Sequence, residues 1–418
     1  MYFCDDMVML YNILILFLRG GYRIGSLFNP KAGAFVTGQQ DVFAQLESRF
    51  LDNRSRVVWI HCSSLGEFEQ GRPLIESLKK EFQDIRILLT FFSPSGYAVQ
   101  KNYQHADLVC YLPWDTARNA YRLVSIVKPS LVIFVKYEFW FHYADVLKKE
   151  SIPVLSISTI FRKTQLFFKP YGGFYRGILD KFSYFFVQNE ESLRLLQSVG
   201  IQQCTLAGDT RFDRVYEIVK KGEEIPIARK FKDDQKTFVV GSCWPEDLEV
   251  LVPFINQSRI KFILAPHEIS ESFIAKIEKD IRVKSIRYSQ AGDKALDEYQ
   301  VLIIDNVGML SRLYRYGEFA FVGGGYVQGL HNILEAACYG VPIFFGNKKY
   351  KKYQEATDLI NRGGAFEIAD YADMKAKYEF LNTPESFLLA CEVTKAYVRE
   401  NLGATEKIMT YCRNLLAQ

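Results

Sequence analysis

The chain lacks any C-x-x-C pair among its eight cysteines, and much else follows from what is missing. Cys4, Cys62, Cys110, Cys204, Cys243, Cys338, Cys391 and Cys412 are scattered without metal-ligand spacing, and they read as reduced thiols of a cytoplasmic protein. The five histidines (His61, His105, His142, His267, His331) are equally dispersed and no D-x-D occurs, so no metal ligand set is in view. No Walker A sequence is present, and no G-x-G-x-x-G follows the first strand of either half, which speaks against P-loop and dinucleotide folds. Charge of one sign is scarce as well: the formal net charge is +4, with Lys and Arg interleaved with Asp and Glu. Composition therefore gives no case for nucleic acid, and leaves a membrane surface or an anionic substrate open. Internal repeats and low-complexity segments are also absent.

What is present is a globular composition, 49% hydrophobic and 24% charged over 418 residues, long enough for two domains. The run Met7–Leu18, MVMLYNILILFL, is nearly all apolar and is followed by Arg19 and Arg23. It is shorter than the roughly 20 residues needed to span a bilayer as a helix and is interrupted by Asn12. Asp5 and Asp6 stand where a signal peptide would be basic, and no small-residue cleavage site follows. Residues 1–24 thus read as a shallow membrane anchor with basic residues facing cytoplasmic headgroups, a buried core helix being the alternative.

From residue 57 onward, β-rich runs alternate with helical periodicity, the pattern of parallel strands joined by crossover helices. Val57–Cys62, Ile85–Thr90, Val109–Leu112, Leu131–Val135, Val154–Ile157 and Tyr184–Val187 predict one doubly wound sheet within residues 25–213. The charged stretch 214–236 reads as a linker. Phe238–Gly241, Phe262–Leu264, Val301–Ile304, Ala320–Val322 and Ile343–Phe345 predict a second sheet of the same class within residues 237–418, whose last helical stretch is free to pack back on the first domain. Two Rossmann-like α/β domains in tandem predict a cleft faced by the carboxyl ends of their strands.

Two constellations fall at such strand ends. In WIHCSSLGE a strand passes through a small-residue turn into a helix opened by Glu67. A carboxylate there complements the helix dipole, and it is equally placed for general-base work. The second is FVGGGYVQGLHNILEAACYGVP, residues 321–342, where a strand ends in three glycines and a helix is expected from near Asn332. Glycines let backbone approach a ligand, free N–H groups at a helix start suit a phosphate, and Glu335 suits a ribose. With His331, Asn332 and Gly340, this points to a nucleotide-sugar site.

Taken in order, these residues resemble the bacterial 3-deoxy-D-manno-octulosonic acid (Kdo) transferases, which attach Kdo to lipid A. The resemblance runs through Ser26-Leu-Phe-Asn-Pro-Lys, WIHCSSLGE, Tyr111-Leu-Pro-Trp-Asp, Glu138-Phe-Trp, Gln188-Asn-Glu, Gly208-Asp-Thr-Arg-Phe-Asp, Asp305-Asn-Val-Gly and the FVGGG-to-HNILEAA block. It implies a GT-B glycosyltransferase, metal-independent and without cofactor, that inverts the anomeric centre at the cytoplasmic face of the inner membrane. Its partners would be CMP-Kdo, held mainly by the second domain, and a lipid A precursor such as lipid IVA, held by the first. Glu67 matches the proposed base of the family's S-V-G-E turn. The CMP site would use Pro266, His267, Gly308, Met309, Leu310, Asn332, Ile333, Leu334 and Glu335. Lys136 stands where many members have the first acid of E-T-E-L-W, and Arg211 stands where they have a lysine; together these cations would stabilise the departing phosphate. His267 replaces an arginine of P-R-H and lacks its bidentate fork. The alternatives are another GT-B enzyme using a UDP-sugar, either a transferase or a 2-epimerase, and an inactive lipid-binding homologue.

Overall fold

Strand β1, Val57–Cys62, buries every residue, and its alternation divides the surrounding core in two. Val57 and Trp59 join a cluster on one face of the sheet, while Val58, Ile60 and Cys62 join another on the opposite face. Side chains of period two sandwiched on both sides are what a parallel sheet covered by helices requires. The remaining strands of this sheet are β2 (Arg86–Phe91), β3 (Leu108–Tyr111), β4 (Leu131–Val135), β5 (Val154–Thr159), β6 (Tyr184–Val187) and β7 (Cys204–Leu206). They pair in parallel in the order β3-β2-β1-β4-β5-β6-β7. The chain leaves β1 toward one side and returns at β4 on the other, so the carboxyl ends of these neighbours form the topological switch point, where open α/β sheets bind ligands.

The computed structural model describes residues 2–292 and 294–417 and divides into two units, residues 1–214 with 402–418, and residues 215–401. The second unit repeats the architecture with β8 (Thr237–Cys243), β9 (Lys261–Pro266), β10 (Ser285–Arg287), β11 (Val301–Ile303), β12 (Phe319–Val322), β13 (Ile343–Gly346) and β14 (Ala365–Ile368). Its order is β10-β11-β9-β8-β12-β13-β14, again parallel, with a switch point between β8 and β12.

The stretch 214–236 is not an extended linker. It holds the end of one helix, Thr210–Lys221, and all of another, Pro226–Lys232. Ile225, Ala228 and Phe231 repeat at helical spacing and are buried beneath a charged exterior that dominates the composition. The last helix, Ala404–Leu416, belongs to the first unit, where Ile408, Met409, Cys412 and Leu416 complete the cluster containing Val58 and Ile60.

The N-terminal helix runs Tyr2–Gly25. Of the described helices it is long and apolar enough, over Asp6–Gly25, to cross a membrane by length and composition. One face nevertheless docks on its own unit. The Tyr11 hydroxyl donates to Asp115 Oδ2 at 2.5 Å, Asn12 Oδ1 meets His142 Nε2 at 2.6 Å, and Ile15 is buried. Tyr22 packs on Phe35 and Trp114 at 5.0 and 5.5 Å between ring centroids. The opposite face leaves Leu16 67% and Phe17 73% exposed.

Candidate functional site

At the switch point of the first unit, Ser64 ends β1's turn as the N-cap of a helix spanning Leu65–Glu81. Its hydroxyl accepts from the Glu67 N–H at 3.4 Å, while a Glu67 carboxylate oxygen accepts from the Ser64 N–H at 3.2 Å, a reciprocal capping box. The dipole-complementing role expected of Glu67 is therefore real. The residue is also 8% exposed, and burial, followed by the negative charge of Glu138, pushes its pKa up to about 7 against the pull of the Ser63 and Ser64 amides and of Lys136.

Glu138, just past β4, is the residue sequence reasoning passed over, although it lies in a quoted motif. One of its oxygens accepts from the indole N–H of Trp140 at 2.7 Å and meets His61 Nε2 at 3.1 Å. The other nitrogen of His61 lies 2.9 Å from the Thr90 hydroxyl, which also accepts from the Trp59 indole N–H at 2.8 Å. His61 Nδ1 also lies 3.1 Å from the Thr90 carbonyl oxygen, so Trp59, Thr90, His61 and Glu138 form one connected polar chain. His61 is the penultimate residue of β1 and Glu138 follows β4, so it is the pairing of these two strands at the switch point that brings them together.

Lys136 holds φ +72°, a left-handed conformation rare for a residue with a side chain, and its ammonium lies 5.3 Å from the Tyr137 ring centroid. Arg211 is an ion-paired cation. Its guanidinium is anchored on buried Asp209 at 2.7 Å, and burial, which would raise that carboxyl, is outweighed by Arg211, so its pKa lies below the ordinary value. Asp209 also accepts from Gln70 at 3.2 Å, one helical turn beyond Glu67.

In the second unit, Ser242, Gly308, Leu310, Ser311, Tyr314, His331, Asn332 and Glu335 line a cavity of about 300 Å³. Gly308, Leu310, Asn332 and Glu335 were expected there; Ser242, Ser311 and Tyr314 were not. Asn332 Nδ2 donates to Glu335 at 3.3 Å, and its Oδ1 accepts from the Leu334 N–H at 3.2 Å. The expected helix from Asn332 is only the four residues Leu334–Ala337, too short for a macrodipole, so any phosphate binding there would fall to individual amides. Ile333 and Leu334 are buried and offer backbone alone. Met309 precedes the short helix Leu310–Leu313, and Pro266 ends β9; neither lines the cavity.

Two of the histidines dispersed in sequence meet in this unit. His267 stacks on Trp244 with ring centroids 4.0 Å apart and lies 4.9 Å from the His331 ring. The Trp244 indole N–H donates to His331 Nε2 at 3.0 Å, which places the imidazole proton on Nδ1. Burial, then the neighbouring His267, lowers the His331 pKa to about 4, and burial lowers that of His267 too. Both favour neutral rings. The glycines after β12 are sterically required: a Cβ on Gly323 would stand 2.2 Å from the Ser242 carbonyl oxygen, and Gly324 holds φ +87°. Asp247 ties this turn to β8 by accepting from the Trp244 and Gly324 N–H groups at 2.8 and 2.9 Å. Lys352, the last residue of the basic run Lys348-Lys349-Tyr350-Lys351-Lys352 whose spacing after a strand end suggests either a solvated face or contact with lipid phosphates, reaches the same loop, its Nζ 3.5 Å from where a Cβ on Gly329 would stand. Among the described residues, no three His, Cys, Asp or Glu side chains gather as a metal site.

Comparison with known proteins gives the following. The model of the family described as 3-deoxy-D-manno-octulosonic-acid transferase (kdotransferase) matches residues 40–214. A protein of Aquifex aeolicus named 3-deoxy-D-manno-octulosonic acid transferase is 28% identical over 336 residues, 78% of this chain and 86% of that one. One of the same name from Rickettsia felis is 27% identical over 82% of this chain and 74% of its own. Among solved structures, a putative UDP-N-acetylglucosamine 2-epimerase from Listeria monocytogenes superposes with a TM-score of 0.59 at 12% identity, covering 87% of this chain and 97% of that one. At that identity the likeness is one of fold, a GT-B-type pair of α/β units.

Proposed function

Because the chain belongs to the Kdo transferase family, we propose that it is an inverting glycosyltransferase moving Kdo from CMP-Kdo to a hydroxyl of a lipid A precursor such as lipid IVA. The observation that carries the reading is the Glu67–Glu138 pair. Two carboxyls share the switch point, Glu138 meets the Trp140 N–H and His61, and burial together with the Glu138 charge leaves Glu67 with a pKa of about 7. A base poised near the working pH is what removal of a sugar hydroxyl proton calls for.

In the proposed step, ionised Glu67 takes the acceptor proton as the acceptor oxygen bonds to the anomeric carbon. The bond from that carbon to the phosphate oxygen of CMP breaks, and CMP leaves with the electron pair. A single displacement inverts the centre. Glu335 is assigned to the ribose hydroxyls, and His267 on Trp244 to one face of the cytosine. Backbone amides of the glycine loop and Lys352 are assigned to the leaving phosphate, in a reaction that uses no metal. Lys136 is assigned to tuning Glu67, and Arg211, engaged with Asp209, to fixing the first turns of the Glu67 helix through Gln70. A helix docked by one face and apolar on the other lies in the plane of a membrane surface, which for this chain is the cytoplasmic face of the inner membrane.

Incubation with CMP-Kdo and a tetraacyl lipid A precursor, followed by mass spectrometry, tests the reading. The expected product is heavier by one or more Kdo units; no mass gain from a folded enzyme refutes it.

A further inference from the structure

Arg19 and Arg23, one turn apart on the N-terminal helix, and Arg118 and Arg122, one turn apart on the helix Ala117–Val127, line a single cavity of about 450 Å³ in the first unit. Among the described residues no acidic side chain lines it. Arg122 is held in place by Glu47 at 2.7 Å and lies over the Phe43 ring, 4.2 Å from its centroid. Arg19, Arg23 and Arg118 make no ion pair among the described residues.

Arg122 has structural partners, but for Arg19, Arg23 and Arg118 no ion pair among the described residues offsets the arrangement. Like charges brought to one cavity repel, and Arg118 sits in the first turn of a helix that has no acidic residue there, the end where a cation opposes the dipole. Residues that break a local rule without a structural return mark function. Guanidinium forks match phosphate oxygens in bidentate geometry, and phosphate supplies the missing negative charge. The occupant's other half is indicated by position: Leu16, Phe17 and Leu18, directly before Arg19, are exposed apolar side chains on the same helix. An apolar face beside a basic cavity complements an amphiphile.

We infer that the cavity formed by Arg19, Arg23, Arg118 and Arg122 binds the phosphate group of an anionic membrane lipid. The inference rests on the membrane-surface reading above and deepens it by naming the headgroup chemistry.

The test is flotation of the full chain with vesicles of phosphatidylcholine alone and of phosphatidylcholine containing phosphatidic acid. Each cation near an anionic surface contributes about fivefold in partitioning, so Arg118→Gln with Arg122→Gln is expected to lose about 25-fold in binding to the phosphatidic acid vesicles. Binding to neutral vesicles should change little. The paired Arg→Lys variant keeps the charge and loses the fork, and is expected to fall between wild type and the Gln pair. Lys276→Gln with Lys279→Gln removes equal charge from the second unit and is expected to have no effect; an equal loss there would overturn the site in favour of diffuse attraction. Unchanged partitioning of the Arg→Gln pair, with wild type still bound to vesicles, would overturn the site while leaving the membrane reading intact. Failure of wild type to bind any vesicle would overturn both. Calorimetric binding of inorganic phosphate without vesicle binding would overturn the lipid as occupant.

Discussion

Glu67→Gln removes a charge and keeps a shape, and so separates the two jobs of the residue. The amide oxygen of Gln can still accept from the Ser64 N–H, so the helix start survives. The proton-accepting function is lost, with an expected fall in kcat of about 10²- to 10⁴-fold. Stability should move the other way. Burial and Glu138 raise the carboxyl from 4.5 to about 7 on folding. Between those values the folded chain holds a proton that the unfolded chain has released, so stability falls as pH rises through this window, and the loss is complete above about pH 7. At about 1.4 kcal/mol per pH unit the cost is on the order of 3 kcal/mol. Loss of the charge–dipole interaction takes back about 0.3–1 kcal/mol. The Gln variant is therefore expected to be more stable than wild type at pH 8 by about 2 kcal/mol, and equal to it or slightly less stable at pH 4.5. Thermal unfolding of both proteins at the two pH values, beside turnover measured as CMP release, checks both halves. A variant destabilised at pH 8, or stabilised equally at both pH values, refutes the reasoning about burial; near-normal turnover refutes the role as base.

Glu138→Gln should preserve an oxygen acceptor for Trp140 while removing the like charge, so the acid limb of kcat/KM against pH moves down from about 7 toward the ordinary 4.5; an unmoved limb would mean that burial alone sets Glu67. Gly323→Ala places a methyl group 2.2 Å from the Ser242 carbonyl oxygen and 2.7 Å from Asp247 Oδ2. Such overpacking costs about 1–3 kcal/mol, and CMP affinity measured by calorimetry should fall at least about tenfold; a folded variant with wild-type affinity would remove this turn from the donor site.

Legibility in the sequence followed burial. Strands such as Val57–Cys62, Leu131–Val135 and Tyr184–Val187 are continuous apolar runs because both faces of a parallel sheet are covered, and their bounds were readable as they stand. Cys204–Leu206, Ser285–Arg287 and Ala365–Ile368 were not predicted. Each is an edge strand of three or four residues, paired on one side, and each contains partly exposed positions that weaken the apolar signal. The site divides in the same way. Glu67 and the Asn332–Glu335 segment lie at the turns that follow strands and are marked by small residues. The His61–Glu138 and Trp244–His267–His331 arrangements join residues 23 to 87 positions apart, 77 for His61 and Glu138 and 87 for Trp244 and His331. Only the sheet order brings such pairs together, and no local pattern encodes it.

Lys136 is the position at which chain chemistry and backbone geometry can be tested together. Its φ of +72° is costly for any residue with a Cβ, about 1–2 kcal/mol. Replacement by glycine relieves that strain but adds about 0.5–1 kcal/mol of chain entropy to be lost on folding, so Lys136→Gly should be neutral to slightly stabilising. The electrostatic effect is of one sign. The ammonium holds the Glu67 pKa down, and without it the acid limb of kcat/KM should rise above about 7, opposite to the shift expected for Glu138→Gln. Lys136→Gln separates the causes, because it loses the charge and keeps the strain: both variants should raise the limb, and Gly alone should avoid a loss of stability. If neither moves the limb, or if both abolish turnover without moving it, Lys136 acts on the reacting groups directly and the tuning role is wrong. An acid at this position, Lys136→Glu, would place a third carboxyl beside Glu67 and Glu138. On this account it raises the limb further than either neutral variant.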